Sequence, residues 1–348
     1  MKVFVTGGAG FIGSHVAEFY AQGQNEVVVF DNLSRGQLLG RNTSASLYNW
    51  SYLKDKYSNI KVIKGDVRNC EETLAAAQNV DVIIHAAAQV AVTTSLIDPW
   101  TDLQINAMGT LNVLEAARQN DATLVFCSTN KVYGENVNGI AVKEGAKFYS
   151  FDDEKYKNGI PETFSIDMCG HSPYGCSKLA ADLYAQDYAH TYGLRTGVFR
   201  MSCIYGVRQF GVEDQGWISW FIIATLTGKR ITVFGDGKQV RDVLYITDLV
   251  KAYNAFINSK MKNEVFNIGG GSKNTLSVAQ SLELLKNLTG KIPEISFADW
   301  RRADQKVYVS DISKAEKLLN WKPRVKPEEG VVKIVDWVSA NLELFRQQ

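Results

Sequence analysis

Short apolar runs alternate with amphipathic stretches along the first half of the chain. The apolar runs predict strands at Lys2–Val5, Glu26–Phe30, Ile60–Lys64, Val82–His85 and Thr123–Cys127. The stretches between them, with apolar residues at helical spacing, predict helices at Phe11–Gln22, Glu71–Ala77 and Asp102–Gln119. Val- and Ile-rich strands separated by helices indicate βαβ units. The pattern therefore predicts an α/β fold with a doubly wound parallel sheet.

The second half begins with the same pattern and then departs from it. A helix is predicted from Tyr174 to about Tyr192, followed by a strand at Thr196–Arg200. Beyond about Ile204 helices and short strands no longer alternate regularly, which predicts a smaller C-terminal α/β lobe that closes over a ligand. A further helix is predicted at Tyr245–Asn258, where the chain returns to the sheet.

A length of 348 residues is consistent with two domains. We predict a sheet domain over residues 1–203, with a chain return around 240–260, and a ligand-binding lobe made mainly of residues 204–348. The polar segment Gly134–Gly170 has no periodicity, and a loop of that length is usually functional.

Composition and charge exclude several classes of protein. Lys and Arg number 38 and Asp and Glu number 37, so the net charge is +1, which provides no electrostatic surface for nucleic acid or an anionic membrane. Five Cys without a CxxC pair predict a reduced, cytoplasmic environment and neither a disulfide framework nor a zinc site.

No targeting segment, membrane span or metal site is expected. The N-terminal sequence MKVFVTGG is not that of a signal peptide. The apolar run Trp217–Leu226 is too short to span a bilayer. His15, His85 and His190 do not cluster with acids or Cys, so no metal is predicted.

Three glycines follow the first predicted strand and precede the first predicted helix. Gly7, Gly10 and Gly13 have the spacing GxxGxxG. Glycines at this position of a Rossmann-type sheet let the backbone approach a pyrophosphate, whose charge then lies at a helix N-terminus. Asp31 ends the second predicted strand, where a carboxylate accepts hydrogen bonds from the adenosine ribose and repels a 2′-phosphate. The pattern predicts NAD rather than NADP, a preference that the nearby Arg35 weakens.

Other positions near strand ends are candidate cofactor contacts. Asp66, after the third strand, is either an adenine contact or a cap. Ala86, Ala87 and Ala88 follow the fourth strand, where small residues allow either backbone contact with the cofactor or tight helix–strand packing. The remaining predicted cofactor contacts are Phe11, Ile12, Asn32, Val67, Tyr174 and Lys178.

The segment Tyr174-Gly175-Cys176-Ser177-Lys178 carries candidate catalytic chemistry. Tyr174 and Lys178 are four residues apart and so share one helical face. A free Tyr has a pKa of about 10, and a nearby ammonium and a nicotinamide cation would lower it. Such a Tyr can take a proton from a sugar hydroxyl and return it. A hydroxyl at the end of the fifth strand should assist, and both Ser128 and Thr129 qualify.

The chain resembles one known protein family in the segments TGGAGFIGSH, DNLSRG, GDVRN, HAAAQ, CSTNKVYG, YGCSK and GDGKQVRDVLYITDLV. It is the extended short-chain dehydrogenases/reductases, and within it the nucleotide-sugar epimerases and dehydratases. The resemblance extends from Met1 to about Pro323. It implies an NAD-dependent isomerase with a nucleotide-sugar substrate and a catalytic triad of Thr129, Tyr174 and Lys178.

Departures from the family pattern narrow the expected reaction. The 4,6-dehydratases of this family have Asp-Glu after the catalytic Thr, whereas this chain has Asn130 and Lys131, so dehydration lacks its acid and base. The UDP-galactose 4-epimerases have a shorter gap between hydroxyl and Tyr, and an RYFN segment where this chain has 200–203, RMSC. The segments STNKVYG, HSPYGCSK, FRMSCIYGVRQF and DQGWISWF look most similar to the CDP-tyvelose (CDP-paratose) 2-epimerases.

This similarity implies inversion at C2 of a CDP-hexose, CDP-paratose or CDP-tyvelose, with CDP-glucose as another candidate. The C2 hydride would pass to tightly held NAD⁺ and return to the other face of a 2-keto sugar. Tyr174 would remove and return the hydroxyl proton, Lys178 would position the nicotinamide ribose, and Thr129 would hydrogen-bond the sugar oxygen. The alternatives are a UDP-hexose 4-epimerase and a non-catalytic NAD-binding regulator.

Substrate contacts are expected mainly in the second half. Arg241 follows a turn and can present a fork of donors to a diphosphate. The resemblance implies another diphosphate Arg, either Arg301 or Arg302, and a ribose-binding Asp304. His171 either contacts the sugar or caps a loop. The predicted substrate contacts are Thr129, Asn130, Lys131, His171, Cys203, Gln215, Trp217, Val233, Gln239, Arg241, Arg301 and Asp304.

Family members usually dimerise through two helices from each subunit. The resemblance therefore implies a homodimer through a four-helix bundle, here Asp102–Gln119 and Ser177–Tyr192. Tyr184, Tyr188 and Tyr192 recur every four residues and either belong to that interface or pack on the sheet.

Overall fold

A computed structural model describes residues 1–39, 44–301 and 304–346. The strands are β1 (Lys2–Thr6), β2 (Glu26–Asp31), β3 (Ile60–Lys64), β4 (Val82–His85), β5 (Thr123–Thr129), β6 (Val142–Glu144), β7 (Tyr149–Phe151), β8 (Thr196–Met201), β9 (Cys203–Tyr205), β10 (Ile231–Phe234), β11 (Val240–Tyr245), β12 (Asn263–Ile268), β13 (Thr275–Ser277), β14 (Ile295–Ala298) and β15 (Val307–Tyr308). The α-helices are α1 (Phe11–Gln22), α2 (Arg35–Leu38), α3 (Ser44–Lys56), α4 (Cys70–Ala76), α5 (Val92–Ile97), α6 (Pro99–Leu103), α7 (Gly109–Asn120), α8 (Ser172–Tyr192), α9 (Trp217–Thr227), α10 (Ile246–Ile257), α11 (Val278–Thr289), α12 (Ser313–Leu319), α13 (Pro327–Ala340) and α14 (Glu343–Arg346).

These elements form two compact units. Unit 1 consists of Met1–Val132, Ser172–Arg200 and Val250–Phe266. Unit 2 consists of Tyr133–His171, Met201–Leu249 and Asn267–Gln348. Among the described residues, no helix is both long enough and apolar enough to cross a bilayer.

The central sheet of unit 1 has seven strands in the order β12-β8-β5-β4-β1-β2-β3. Strand β1 pairs in parallel with β2 on one side and with β4 on the other, so the strand order reverses at β1. In doubly wound sheets this reversal leaves a crevice outside the carboxyl ends of the strands, where ligands bind. The predicted fold class is therefore confirmed, and a site is expected beyond Thr6 and His85, the last residues of β1 and β4.

Burial on both faces of the sheet explains its apolar sequence. In β1, Val3, Phe4 and Val5 are all fully buried, so there is no solvated face and no polar alternation. Phe4 and Phe30 pack against each other, and helices α7 and α8 cover this face with small apolar residues. Small helical side chains let helices lie close to the sheet. The core of unit 1 is thus continuous beneath the carboxyl edge.

Unit 2 is built from smaller sheets. Strand β11 pairs in parallel with β9 and β15 and antiparallel with β13. Strands β10 and β14 form a parallel pair, and β6 and β7 form a hairpin. Tyr149, Val240, Val307 and Val309 form a small core in this unit.

Two predicted elements differ from the structure. The helix expected at Asp102–Gln119 begins at Pro99, where Asp98 caps it, and contains a π-helical turn at Gln104–Met108. The Thr110 hydroxyl donates to the carbonyl oxygen of Asn106 at 2.6 Å, which accompanies this widened turn. The segment Gly134–Gly170 is not an irregular loop, because it contains the β6–β7 hairpin, whose Tyr149 is part of the core of unit 2.

Candidate active site

The glycine loop after β1 folds so tightly that side chains do not fit. Gly7 has a φ of +65°, and a Cβ there would lie 2.6 Å from the backbone nitrogen of Ala87. A Cβ on Gly13 would lie 2.2 Å from the carbonyl oxygen of Gly7. Both distances are below van der Waals contact, so the loop requires glycine at these two positions. The backbone of Ala86 and Ala87 therefore lies directly against the glycine loop.

The N-terminus of α1 is open to an anion. Gly10 is its N-cap, and within the described chain no side chain caps the helix and no acidic residue lies in its first turn. Phe11 and Ile12 begin the helix, so its free N–H groups face the crevice end of β1. Unsatisfied donors and the positive end of the helix dipole favour a phosphate group. The residues present therefore fit the pyrophosphate of a dinucleotide.

Asp31 lies at the end of β2 beside this loop. Its carboxylate accepts hydrogen bonds from the backbone N–H groups of Ala9, at 3.0 Å, and Leu33, at 2.7 Å. Burial raises the pKa of Asp31, and these two hydrogen bonds act in the opposite direction. The site thus holds a carboxylate where a ribose would be recognised.

Asp66 is held by neighbours rather than serving as a helix cap. Asn69 caps α4, whereas Asp66 accepts from the Asn32 amide at 2.8 Å and from the Arg68 guanidinium at 2.7 Å. Although burial acts to raise it, these hydrogen bonds hold the pKa of Asp66 at about 2. Arg68 was not predicted from the sequence. Val67 is buried beside them.

Thr129, Tyr174 and Lys178 come together in unit 1. Thr129 ends β5, and its hydroxyl hydrogen-bonds the phenol of Tyr174, which lies in the first turn of α8. Lys178, one turn further on, is 3% exposed, and its ammonium donates to the carbonyl oxygen of Cys127 at 2.7 Å. Ser128 is fully buried and donates to Asp182 at 2.6 Å, so it is engaged away from the phenol. This arrangement supports Thr129 over Ser128.

The pKa of Tyr174 is raised, contrary to the expectation that Lys178 lowers it. Burial raises the pKa of Tyr174 to about 12, the Thr129 hydrogen bond acts to lower it, and the charge of Asp102 raises it further. Burial also lowers the pKa of Lys178 to about 8. Burial dominates here, and the Lys178 ammonium is bonded to a carbonyl oxygen rather than to the phenol. The expected effect of the nicotinamide cation stays a prediction.

Arg241 and Asp304 come together in unit 2. The Arg241 guanidinium pairs with the Asp304 carboxylate at 2.5 Å. Arg301 pairs with Asp214 at 2.9 Å, and its guanidinium lies 3.9 Å from the centre of the Phe234 ring. Arg302, the alternative diphosphate ligand, lies outside the described residues. A cavity of about 310 Å³ lies among Trp300, Arg301, Asp304 and neighbouring residues, so both cationic and aromatic groups line it.

Four other predicted substrate residues lie in unit 2 with defined partners. The Trp217 indole N–H donates to the sulfur of Cys203 at 3.5 Å. Gln239 is largely buried and donates to the carbonyl oxygen of Phe234 at 2.7 Å. Nε2 of His171 lies 2.7 Å from the carbonyl oxygen of Ile166, which supports the loop-cap interpretation.

The remaining predicted substrate residues are Gln215, Val233, Asn130 and Lys131. Gln215 and Val212 exchange backbone hydrogen bonds before α9, and Val233 is buried in β10. Asn130 is largely buried and accepts from Thr129 at 3.4 Å, and the backbone N–H of Lys131 donates to the Thr129 hydroxyl at 3.3 Å. The Thr129 hydroxyl is thus held by the two residues that follow it.

Comparison with known proteins identifies the family. Residues 3–269 match the family described as "NAD dependent epimerase/dehydratase family". The chain belongs to this family. It is 40% identical to a CDP-paratose 2-epimerase of Salmonella typhi, over 98% of this chain and all of that protein. It is 34% identical to a UDP-glucuronate 4-epimerase of Thermodesulfobacterium geofontis, over 98% of this chain and 97% of that protein.

A solved structure provides a further comparison. The crystal structure of UDP-glucuronic acid 4-epimerase from Bacillus cereus, in complex with UDP-glucuronic acid and NAD, is 28% identical to this chain. The superposition covers 98% of this chain and all of the Bacillus cereus chain, with a TM-score of 0.82. The predicted family and cofactor are therefore confirmed: the chain is an NAD-dependent isomerase of the nucleotide-sugar epimerase/dehydratase type.

Replacement of Asp31 tests the predicted cofactor preference. In Asp31→Asn we expect the affinity for NAD to fall about tenfold, because a charged hydrogen-bond acceptor for the ribose is lost. The affinity for NADP should rise relative to NAD, since the carboxylate that repels a 2′-phosphate is gone while Arg35 remains. Calorimetric dissociation constants for both dinucleotides measure this. Asp55→Asn, at an exposed Asp of α3, is the control, and an unchanged NAD-to-NADP ratio in Asp31→Asn would contradict the assignment.

Proposed function

We propose that this enzyme inverts C2 of a CDP-hexose. CDP-paratose and CDP-tyvelose are the proposed substrate pair, with CDP-glucose as a further candidate. The observation that carries the proposal is the 40% identity to a CDP-paratose 2-epimerase over essentially the whole of both chains. The positions after Thr129 support it, because Asn130 and Lys131 provide neither of the two carboxyl groups that eliminate water in the dehydratases.

We propose a catalytic role for each residue of the triad. Tyr174 takes the proton of the sugar hydroxyl and later returns it, since its phenol already shares a hydrogen bond with Thr129. Thr129 holds the sugar oxygen at that position. Lys178 contributes a positive charge one helical turn away. When bound, the cofactor would supply the hydride acceptor as NAD⁺ and the hydride donor as NADH, and the positive charge of NAD⁺ would favour the phenolate.

The proposed cofactor contacts lie in unit 1. The glycine loop and the start of α1 would bind the pyrophosphate, and Asp31 the adenosine ribose. Asn32 and Asp66, which hydrogen-bond each other, would contact the adenine side of the cofactor. Residues 1–203 thus remain the proposed cofactor domain.

The proposed nucleotide-sugar contacts lie mainly in unit 2, within residues 204–348. Arg241 and Arg301 would bind the diphosphate, each exchanging part of its present carboxylate contact for phosphate oxygens. Asp304, released from Arg241, would then be available to the ribose. Trp217, whose indole contacts Cys203, would line the nucleotide pocket.

We also propose a cytoplasmic homodimer that associates through a four-helix bundle. Within the two segments expected to form it, Met108 and Tyr184 are exposed, whereas Tyr188 is buried and donates to Glu115 at 2.7 Å. Exposed apolar side chains on adjacent helices are typical of association surfaces. Met108 lies in the expected segment Asp102–Gln119, and Tyr184 lies in the expected segment Ser177–Tyr192.

A second candidate function is 4-epimerisation of a UDP-hexose. It is favoured by the 34% identity to a UDP-glucuronate 4-epimerase and by the fold shared with the Bacillus cereus enzyme. Both reactions use the same reversible oxidation of a carbinol, so the triad does not distinguish them.

A substrate panel distinguishes the two functions. We expect the purified enzyme to convert CDP-tyvelose into its C2 epimer, followed by proton NMR, with no accumulation of NADH absorbance at 340 nm. CDP-glucose, UDP-glucose and UDP-glucuronate are assayed in parallel. Inversion at C4 of a UDP-sugar, with every CDP-sugar unchanged, would replace the proposal by the second candidate.

A further inference from the structure

A buried carboxylate contacts α8, the helix that carries Tyr174 and Lys178. Asp102, in α6, is 0% exposed. Its oxygens accept hydrogen bonds from the Ser177 hydroxyl at 2.5 Å, the Gln89 amide at 2.8 Å and the Asn106 amide at 3.0 Å. All three donors are neutral. Asp102 is therefore hydrogen-bonded but not neutralised.

A second buried carboxylate in unit 1 differs from Asp102 in having a cationic partner. Asp182 is also 0% exposed, but Arg200 pairs with it at 3.0 Å. Within the described ranges of the chain no cation forms an ion pair with Asp102. Burying a charge without an ionic partner costs folding free energy, so a buried carboxylate of this kind is worth examining for a role in the site. Burial raises the pKa of Asp102, while its hydrogen bonds from Ser177 and Gln89 and the positive charge of Lys178 act to lower it.

Ser177 connects Asp102 to the catalytic residues. Ser177 immediately precedes Lys178 in α8, and its hydroxyl lies 2.5 Å from Asp102 and 3.1 Å from the carbonyl oxygen of Tyr174. Asp102 thus holds the turn of the helix from which both Tyr174 and Lys178 project. It reaches that turn from a segment 75 residues away.

We propose that Asp102 is a positioning residue of the catalytic site, whose buried carboxylate fixes the helical turn that carries Tyr174 and Lys178 and places a negative charge beside it. The inference rests on the proposed role of Lys178 in the reaction and deepens it. Asp102 touches neither the phenol nor the ammonium directly and acts on them by charge and through Ser177. No covalent or redox step is added.

The direction of the electrostatic effect follows from the sign of the charge. Burial lowers the pKa of Lys178 to about 8, whereas Cys127, Asp182 and, after them, the negative charge of Asp102 act to raise it. The same charge raises the pKa of Tyr174. With Asp102 ionised, both groups keep their protons to higher pH. Removing the charge should therefore lower both pKa values.

Other charged or titratable groups act around Lys178 and remain in any Asp102 variant. Asp182 raises the pKa of Lys178 from the next turn of α8, and Arg200 pairs with that carboxylate. Cys127 and His85 lie on β5 and β4, and Asp98 precedes α6. Since these groups are unchanged, a difference between Asp102 variants reports the Asp102 charge.

The variant Asp102→Asn tests the proposal with little change of shape. Its remaining oxygen keeps the bonds from Gln89 and Asn106, and the Ser177 hydroxyl can turn to the Tyr174 carbonyl and accept from the new amide. In the NAD-loaded enzyme, the ¹³Cε resonance of Lys178 is assigned by its loss in Lys178→Arg and followed through a pH titration. We expect its midpoint in Asp102→Asn to lie roughly one pH unit below that of the wild type.

Two further variants control this titration. Asp187→Asn removes an exposed carboxylate from the same helix and should leave the midpoint unchanged. In Lys178→Met the Asp102 network is intact, so the carboxyl ¹³C resonance of Asp102 should titrate at higher pH than in the wild type, because the coupling is reciprocal. This measurement remains decisive if Asp102→Asn does not fold. Equal Lys178 midpoints in folded wild type and Asp102→Asn, or an unchanged Asp102 midpoint in Lys178→Met, would overturn the proposal.

The pH dependence of turnover gives an independent measurement. With CDP-tyvelose as the probe, both limbs of the pH–rate profile of Asp102→Asn should move to lower pH, while Asp187→Asn retains the wild-type profile. The NMR titration needs no nucleotide sugar. A Lys178 shift without turnover of CDP-tyvelose would therefore reject the proposed substrate and leave the role of Asp102 standing.

Discussion

Replacing Tyr174 by phenylalanine should reduce epimerisation by about three orders of magnitude, the usual contribution of a positioned acid or base. The variant removes one hydroxyl from a buried side chain that contacts Thr129. Thr129 keeps its hydrogen bonds with Asn130 and Lys131, so no polar group is stranded. The fold and the NAD content of the purified protein should be those of the wild type. Proton NMR turnover and the absorbance of the released dinucleotide measure the two effects.

Tyr184→Phe is the matched control for this variant. Tyr184 is on the same helix, but it is 47% exposed and away from the catalytic contacts. It should leave turnover unchanged. Wild-type turnover in Tyr174→Phe would show that another group moves the proton, and the assigned triad would be wrong.

Replacing Gly13 by alanine should abolish NAD binding and destabilise the protein. Helix propensity alone favours Ala over Gly in a helix by about 1 kcal/mol. Here the added Cβ would lie 2.2 Å from the Gly7 carbonyl oxygen and 2.8 Å from the Cα of Gly8. Both are backbone atoms of the glycine loop. Overpacking of this kind typically costs about 1–3 kcal/mol, so we expect the clash to outweigh the propensity by up to about 2 kcal/mol. Released dinucleotide and the thermal unfolding midpoint provide the readouts.

Gly139→Ala is the control for the glycine loop. A Cβ on Gly139 would meet no atom within 4 Å. We expect its NAD content and unfolding midpoint to match the wild type. A Gly13→Ala protein that still purified with a full complement of NAD would refute the position assigned to the pyrophosphate.

The fold was predictable because its elements are specified locally. Strands β1, β2, β4 and β5 are largely apolar runs buried on both faces, a pattern visible within a few residues. The glycine spacing at Gly7, Gly10 and Gly13 is equally local. Within the helical stretch from Pro99 to Asn120, the π-helical turn was missed because a Thr110–Asn106 side-chain bond accompanies it, and helical periodicity does not reveal such a bond.

The electrostatics of the site could not be predicted, because they depend on contacts between distant segments. Asp102 and Ser177 are 75 residues apart, and Ser128 and Asp182 are 54 apart. The raised pKa of Tyr174 follows from burial, which the YGCSK segment does not encode. Asp182 was within reach of sequence reasoning, because it lies four residues after Lys178 and so shares its helical face.

The fate of the hydrogen on C2 tests the proposed reaction most directly. CDP-tyvelose carrying deuterium at C2 is incubated with the enzyme in ordinary water, and the product is analysed by NMR and mass spectrometry. If the C2 hydrogen leaves as hydride and returns within the same site, the C2 epimer should retain the deuterium and no NADH should accumulate. A C2 epimer that has exchanged its deuterium for solvent hydrogen would contradict this account, as would a product inverted at C4 with C2 untouched.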